Sequence, residues 1–130
     1  MDLAVFDYLT GNMDRHHYDE VFTFGNDSAL IHLDHGRGFG RTTYDEDTII
    51  LPLLQCCVIR LSTFNRLYSF HTGPKRLSDI MRESMANDPI KPVLIEPHLK
   101  ALDRRVSKIL GVIRLCLNAN SPDLVFLDDM

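Results

Sequence analysis

Two aspartates pose the chemical question. Asp14 stands in the polar run GNMDRHHYDE, residues 11–20, and Asp34 in IHLDHGRGFG, residues 31–40, with short apolar and turn-forming runs between them. Two loop carboxylates on either side of a strand pair suit phosphoryl transfer. One faces the attacking hydroxyl and takes its proton, while the other holds the cation that bridges the phosphates. Protein-kinase active sites share this layout, with a metal-ligating asparagine five residues after the catalytic aspartate. That position here is Asp19, a further carboxylate able to contact metal or nucleotide.

Two other readings use the same stretch. His16, His17, His32 and His35 together with Asp34 could form a metal-hydrolase centre, since H-L-D-H resembles the second half of H-x-H-x-D-H. Its first histidine is missing, because position 30 is Leu, and zinc wants three or four convergent ligands with oriented partners behind them. In the plainest reading, Asp14, Asp19 and Asp34 are solvated loop carboxylates and the histidines are loop hydrogen-bonders.

The elements that must position these residues follow from pattern. Leu3 to Leu9 reads as the end of a helix stopped by Thr10, Gly11 and Asn12. Val21–Phe24 and Ala29–Leu33 flank Gly25, Asn26, Asp27 and Ser28, which predicts a hairpin. Asp34 to Arg41 is a glycine-rich loop. From Thr48 the pattern turns helical, with Pro52 placed to start a helix and Ser62 or Thr63 available to cap the next. Arg76–Ala86 is amphipathic, and the prolines at 89, 92 and 97 separate it from the last helix. There Leu99, Leu102, Val106, Ile109, Ile113 and Cys116 alternate spacings of three and four, so they form one buried stripe. Gly111 costs about 1 kcal/mol relative to alanine inside a helix, which predicts close packing at that point.

Size and charge bound the rest. The 130 residues suffice for one domain, and 45% hydrophobic with 25% charged residues is a globular composition. A net charge of -4 argues against nucleic-acid and anionic-membrane partners, which basic surfaces recruit. The nearest approach to a basic run, Lys100 to Lys108, is interrupted by Asp103. No apolar stretch is long enough to cross a bilayer, and Met1 is followed by Asp2 rather than by a basic and apolar leader, so the chain reads as carrying no export signal. The cysteines Cys56, Cys57 and Cys116 match neither a zinc pattern nor C-x-x-C. They allow one disulfide with a thiol left over for a partner outside the chain, or three reduced thiols.

The run Gly11 to Tyr18, HLD at 32–34 with GRGFG at 36–40, PLLQCC at 52–57 and EPHLKALDRR at 96–105 together resemble the C-terminal region of the Fam-twenty family of secretory-pathway kinases, which includes the Golgi casein kinase and the proteoglycan xylose kinase. The likeness runs nearly the whole chain in register. It implies a mainly α (α+β) fold, the C-lobe of a protein-kinase-like domain with one β-hairpin between catalytic loop and metal-binding loop. It further implies that residues 1–130 are a single partial domain without the N-lobe, inactive alone because glycine-rich loop, phosphate-binding lysine and its acidic partner are absent.

By position, the resemblance implies Asp14 as the catalytic aspartate, Asp34 as the ligand of Mn2+ or Mg2+, and Asp19 with Asp34 as the contacts to ATP. Asp19 stands where the family usually has glutamate, and His35 where it usually has asparagine or another small polar residue. The resemblance also implies a Cys57–Cys116 disulfide, a partner for Cys56 upstream of the catalytic loop, and glycosylation at Asn26 of the Asn26-Asp27-Ser28 sequon. The implied activity is transfer of the ATP γ-phosphate to serine of secreted or Golgi-lumenal proteins, in the Golgi lumen or outside the cell. GNMDRHHY, the Asn26-Asp27-Ser28 sequon and HLD with GRGFG favour that protein-directed branch, while LSTFNRL at 61–67 resembles the xylose kinase branch. A pseudokinase that partners an active kinase in a dimer is a third member type.

Overall fold

The computed structural model describes residues 1–21, Thr23, Gly25 and 31–129, apart from the side chain of Tyr18. Helix α1, Asp2–Thr10, ends at Gly11, whose φ of 70° is the left-handed conformation that glycine adopts without cost. Val5 and Tyr8 of α1 are buried. After the loops that follow, a 3-10 turn at Asp47–Ile50 leads into α2, Leu51–Cys56, with Pro52 in its first turn, where no backbone donor is lost.

The long helix α5, Glu96–Ala119, organises the rest. Its stripe of Leu99, Leu102, Val106, Ile109, Ile113 and Cys116 is buried, each position within 3% of full exclusion from solvent. Val106, Ile109 and Ile113 meet Val5 and Tyr8 of α1, Leu53 of α2, Ile59 and Leu67 in one core. Each such aliphatic side chain contributes about 1.5–3 kcal/mol by leaving water. Leu67 comes from α3, Leu61–Thr72. Helix α4, Leu77–Ser84, docks through Ser78, whose N–H and hydroxyl donate to the two carboxylate oxygens of Asp103 at 3.0 and 2.7 Å. Cys57 and Cys116 are bonded, Cα atoms 5.2 Å apart, which ties the end of α2 to α5. Among the described residues Cys56 is the free cysteine, and it is exposed.

Strand content is small. β1, Tyr18–Asp19, pairs antiparallel with β2, Ile31–His32, in the register Tyr18 with His32 and Asp19 with Ile31. β3, Ile59–Arg60, pairs in parallel with β4, Phe126–Leu127, which follows the short helix α6, Pro122–Val125. The fold is therefore mostly helical with a little sheet. No helix among the described residues is long and apolar enough to cross a membrane.

Three local expectations change. The antiparallel pairing between the two acidic loops joins 31–32, within the expected Ala29–Leu33 run, to 18–19, ahead of the expected Val21–Phe24 run, and Phe22, Phe24 and Asn26–Leu30 fall outside the described residues. Neither Ser62 nor Thr63 caps α3. Arg60 holds the cap position, and Asp129 accepts from the Ser62 N–H at 3.0 Å and its hydroxyl at 2.6 Å, so the acceptor for this helix start comes from the far end of the chain. A Cβ at Gly111 would meet nothing within 4 Å, contrary to close packing there. That residue lines an open groove between α3 and α5 with Phe64, Tyr68 and Leu117.

Candidate active site

Both acidic loops are built on the end of α1. Beyond Gly11, Asn12 is buried and donates its backbone N–H to Asp7 O at 2.9 Å and its side-chain amide to Asp7 Oδ1 at 3.2 Å. Its carbonyl oxygen Oδ1 accepts from the Asp14 N–H at 3.2 Å, a local Asx bond that turns the chain outward at Asp14. The second loop folds over the same helix end. Phe39 N–H donates to Thr10 O at 2.6 Å, and Gly38 N–H closes a turn on His35 O at 2.9 Å. Asp34 itself has φ 56°, a conformation that aspartate tolerates better than most residues.

This arrangement brings Asp14 and Asp34 to one imidazole. His16 Nδ1 lies 3.7 Å from Asp14 Oδ1, and its Nε2 lies 3.6 Å from Asp34 Oδ2. The other Asp14 oxygen, Oδ2, faces Arg37 Nε at 3.0 Å. Both carboxylates stay partly open to solvent, 40% and 57% exposed. Asp19 is exposed on β1, and no hydrogen bond or ion pair joins it to Asp14 or Asp34. Asn26 lies outside the described residues.

Beneath the two acids runs a charged brace that the sequence did not disclose. Arg15 grips buried Asp7 with two bonds, Nε to Oδ2 at 2.8 Å and Nη2 to Oδ1 at 2.6 Å. That hydrogen-bonded carboxylate also raises the pKa of the guanidinium. Arg15 Nη1 donates to the carbonyls of Leu33 and, at 3.4 Å, His17, and Nη2 lies 2.9 Å from His35 Nδ1. Phe6, the neighbour of Asp7 on α1, meets the rings of His32 and His35 at centroid distances of 5.7 and 5.0 Å.

A second cluster fixes the segment after the glycine-rich loop. Asp45 Oδ1 accepts from Arg104 Nη2 at 2.7 Å and Arg105 Nε at 2.8 Å, and Lys108 Nζ lies 3.2 Å from Oδ2. These partners, Arg104 foremost, hold the Asp45 carboxyl well below the usual carboxylate range despite its burial. Arg105 also donates to the carbonyls of Leu9, Arg41 and Tyr44, tying α1, this segment and α5 together. Tyr8 donates to Asp47 at 2.6 Å, and its phenol is pushed upward by burial first and by that carboxylate second.

Phosphate-bound Mg2+ or Mn2+ commonly takes one or two protein carboxylates and completes its shell with phosphate oxygens and water. The carboxylate of Asp34 fits that donor set, being an oxygen ligand 57% open to solvent. A cage of three or more His, Cys, Asp or Glu ligands is not found among the described residues. That disfavours the histidine-rich hydrolase centre, since His16 Nδ1 is taken up by the backbone carbonyl of Asp14 at 2.6 Å and His35 Nδ1 faces Arg15.

Comparison with known proteins gives the family. The family described as Golgi casein kinase, C-terminal, Fam20 matches residues 1–125. An extracellular serine/threonine protein of Drosophila melanogaster, CG31145, is 58% identical over 94% of the chain and 23% of its own length. Human pseudokinase FAM20A is 50% identical over 98% of the chain and 24% of its length. The human extracellular serine/threonine protein kinase FAM20C is 48% identical over the whole chain and 22% of its length. The chain thus spans about a quarter of the length of these relatives. A crystal structure of the Golgi casein kinase with Mn/ADP bound superposes with a TM-score of 0.91 at 44% identity, over 97% of this chain and 30% of that one. With two acids flanking one imidazole at the end of α1 and a family match that covers nearly every residue, the chain belongs to the Fam20 family of kinases.

Proposed function

We propose that this chain carries the acceptor and metal side of a Fam20-type active site that transfers the γ-phosphate of ATP to serine of secreted proteins. The observation that carries the reading is the placement of Asp14 and Asp34 on either side of His16, at 3.7 and 3.6 Å. Asp14 accepts the proton of the attacking hydroxyl and aligns its oxygen. Asp34 holds Mn2+ or Mg2+, which when bound neutralises charge on the nucleotide phosphates. Asp19, in the end pair of the β1–β2 sheet, contacts the nucleotide side. Arg37 lies against Asp14 and is 75% exposed, free to swing away when an acceptor approaches.

Secretory location is part of this reading. The Cys57–Cys116 bond suits an oxidising compartment, and similar proteins are named as extracellular. Cys56 finds a partner outside this chain, and Asn26 carries a glycan. Protein substrates are secreted or Golgi-lumenal, and pairing with a pseudokinase follows the family pattern.

Similarity to a pseudokinase, at 50% identity, supports a second reading in which the same acids serve an allosteric partner rather than transfer. An assay of the intact protein with casein and with a xylosylated glycan, each against Asp14→Asn, separates the possibilities. Transfer to casein that disappears in Asp14→Asn supports the proposal. Transfer to the glycan alone moves the protein to the sugar kinase branch, and no transfer to either favours the pseudokinase.

A further inference from the structure

We propose that Arg15, seated on the buried carboxylate of Asp7, is the positioning residue that sets the geometry between Asp14 and Asp34. The proposal deepens the kinase reading and rests on it.

Arg15 follows Asp14 directly in the chain, so its backbone belongs to the first acidic loop. Its guanidinium reaches into the second loop at the residues on either side of Asp34. One nitrogen donates to the Leu33 carbonyl, and another lies 2.9 Å from His35 Nδ1. Because a guanidinium only donates, His35 accepts at Nδ1 and carries its ring proton at Nε2. Asp34 is thereby held from both flanks by the side chain adjacent to Asp14.

The anchor beneath is rigid. Asp7 is 3% exposed and Arg15 16%, joined by two bonds in the planar fork that fits a carboxylate. Asp7 also takes the Asn12 amide, and Asn12 in turn takes the Asp14 N–H. One buried carboxylate on α1 therefore orients Asp14 through Asn12 and Asp34 through Arg15. Lysine at 15 would keep the charge and one contact to Asp7, yet a single ammonium lacks the fork needed to grip Asp7 and span both sides of Asp34.

The test uses the intact protein and measures Mn2+·ADP affinity by calorimetry, kcat and KM for ATP and acceptor, and the melting temperature. Arg15→Lys is expected to weaken Mn2+·ADP binding and lower kcat by about 10- to 100-fold, with the KM for the acceptor nearly unchanged. Asp7→Asn should produce the same pattern, because Arg15 loses its seat. The double variant should lose little more than the worse single one, since both act through one brace.

Wild-type affinity and kcat per folded molecule in Arg15→Lys and Asp7→Asn, with only a lower melting temperature, would show a merely structural pair and overturn the proposal. Losses that multiply in the double variant would overturn it as well. If Arg15→Lys does not fold, Asp7→Asn alone decides by the same affinity measurement. The kinase reading is checked separately on the wild type: a protein that binds Mn2+·ADP without transferring phosphate still tests the brace by affinity, and one that does neither removes the reading and the brace together.

Discussion

Asp45 and Arg105 are buried against each other, each side chain 3% exposed, with Nε and Oδ1 2.8 Å apart. They are far apart in the chain and close a join between the segment after the glycine-rich loop and α5. Removing one partner leaves the other charge in a poorly hydrated place. Asp45→Ala is expected to destabilise the protein by about 3–5 kcal/mol, read from urea unfolding. A loss below about 1 kcal/mol would mean that the three backbone carbonyls facing Arg105 suffice without the carboxylate.

The same cluster has a pH signature. Its cations hold the Asp45 carboxyl below its ordinary value in the folded state, Arg104 contributing most. The unfolded chain therefore takes up this proton first, at about pH 4. Stability from Asp45 is in full above that pH and declines as pH falls toward the lower folded value. The stability gap between wild type and Asp45→Asn should be flat from about pH 5 to 7 and narrow below about pH 4. A gap that widens on acidification would contradict the assignment.

Glycines 11 and 111 should respond oppositely to alanine. A Cβ at Gly11 would sit 3.0 Å from Arg105 Nη2, and the backbone there has φ 70°. Gly11→Ala is expected to cost about 1–2 kcal/mol. Gly111 has open space around it inside a helix, so Gly111→Ala should stabilise by about 0.5–1 kcal/mol in thermal or urea unfolding. A destabilised Gly111→Ala would contradict the open space around that position.

The elements that could be read from sequence are those whose signal is local. The α5 stripe repeats at spacings of three and four, and all six of its positions are buried. The stop of α1 at Gly11 is written in one residue type. Asp14 and Asp34 announce themselves by loop placement. Asp7, Arg15, Asp45 and Arg105 do not, because a buried ion pair and a solvated charged face use the same residue types, and the partners of Asp45 lie 59 and 60 residues away. The Lys100 to Lys108 run illustrates the point: Arg104, Arg105 and Lys108 are engaged by Asp45, so that run is no anion-binding surface. The acceptor for α3 was hidden for the same reason, since Asp129 and Ser62 are 67 residues apart. Only an acid amid the apolar residues of α1 could have flagged Asp7, and it carries no spacing that names Arg15.

Removing the covalent tie between α2 and α5 should also be costly. Cys57 and Cys116 are separated by 59 residues, and a loop of that size gains about 4 kcal/mol from cross-linking by chain entropy. Cys57→Ser with Cys116→Ser is expected to lower stability by about 2–5 kcal/mol. Peptide mapping by mass spectrometry without reductant should recover the 57–116 pair, and a 56–116 pair would contradict it.

The central claim is that two acids beside one imidazole divide the work of acceptor and metal. Its most direct measurement pairs Mn2+·ADP affinity with phosphate transfer in Asp14→Asn and Asp34→Asn of the intact protein. The account requires Asp34→Asn to lose both, and Asp14→Asn to keep binding while transfer falls by at least about 100-fold. Undiminished transfer in Asp14→Asn, or undiminished Mn2+·ADP binding in Asp34→Asn, would contradict it.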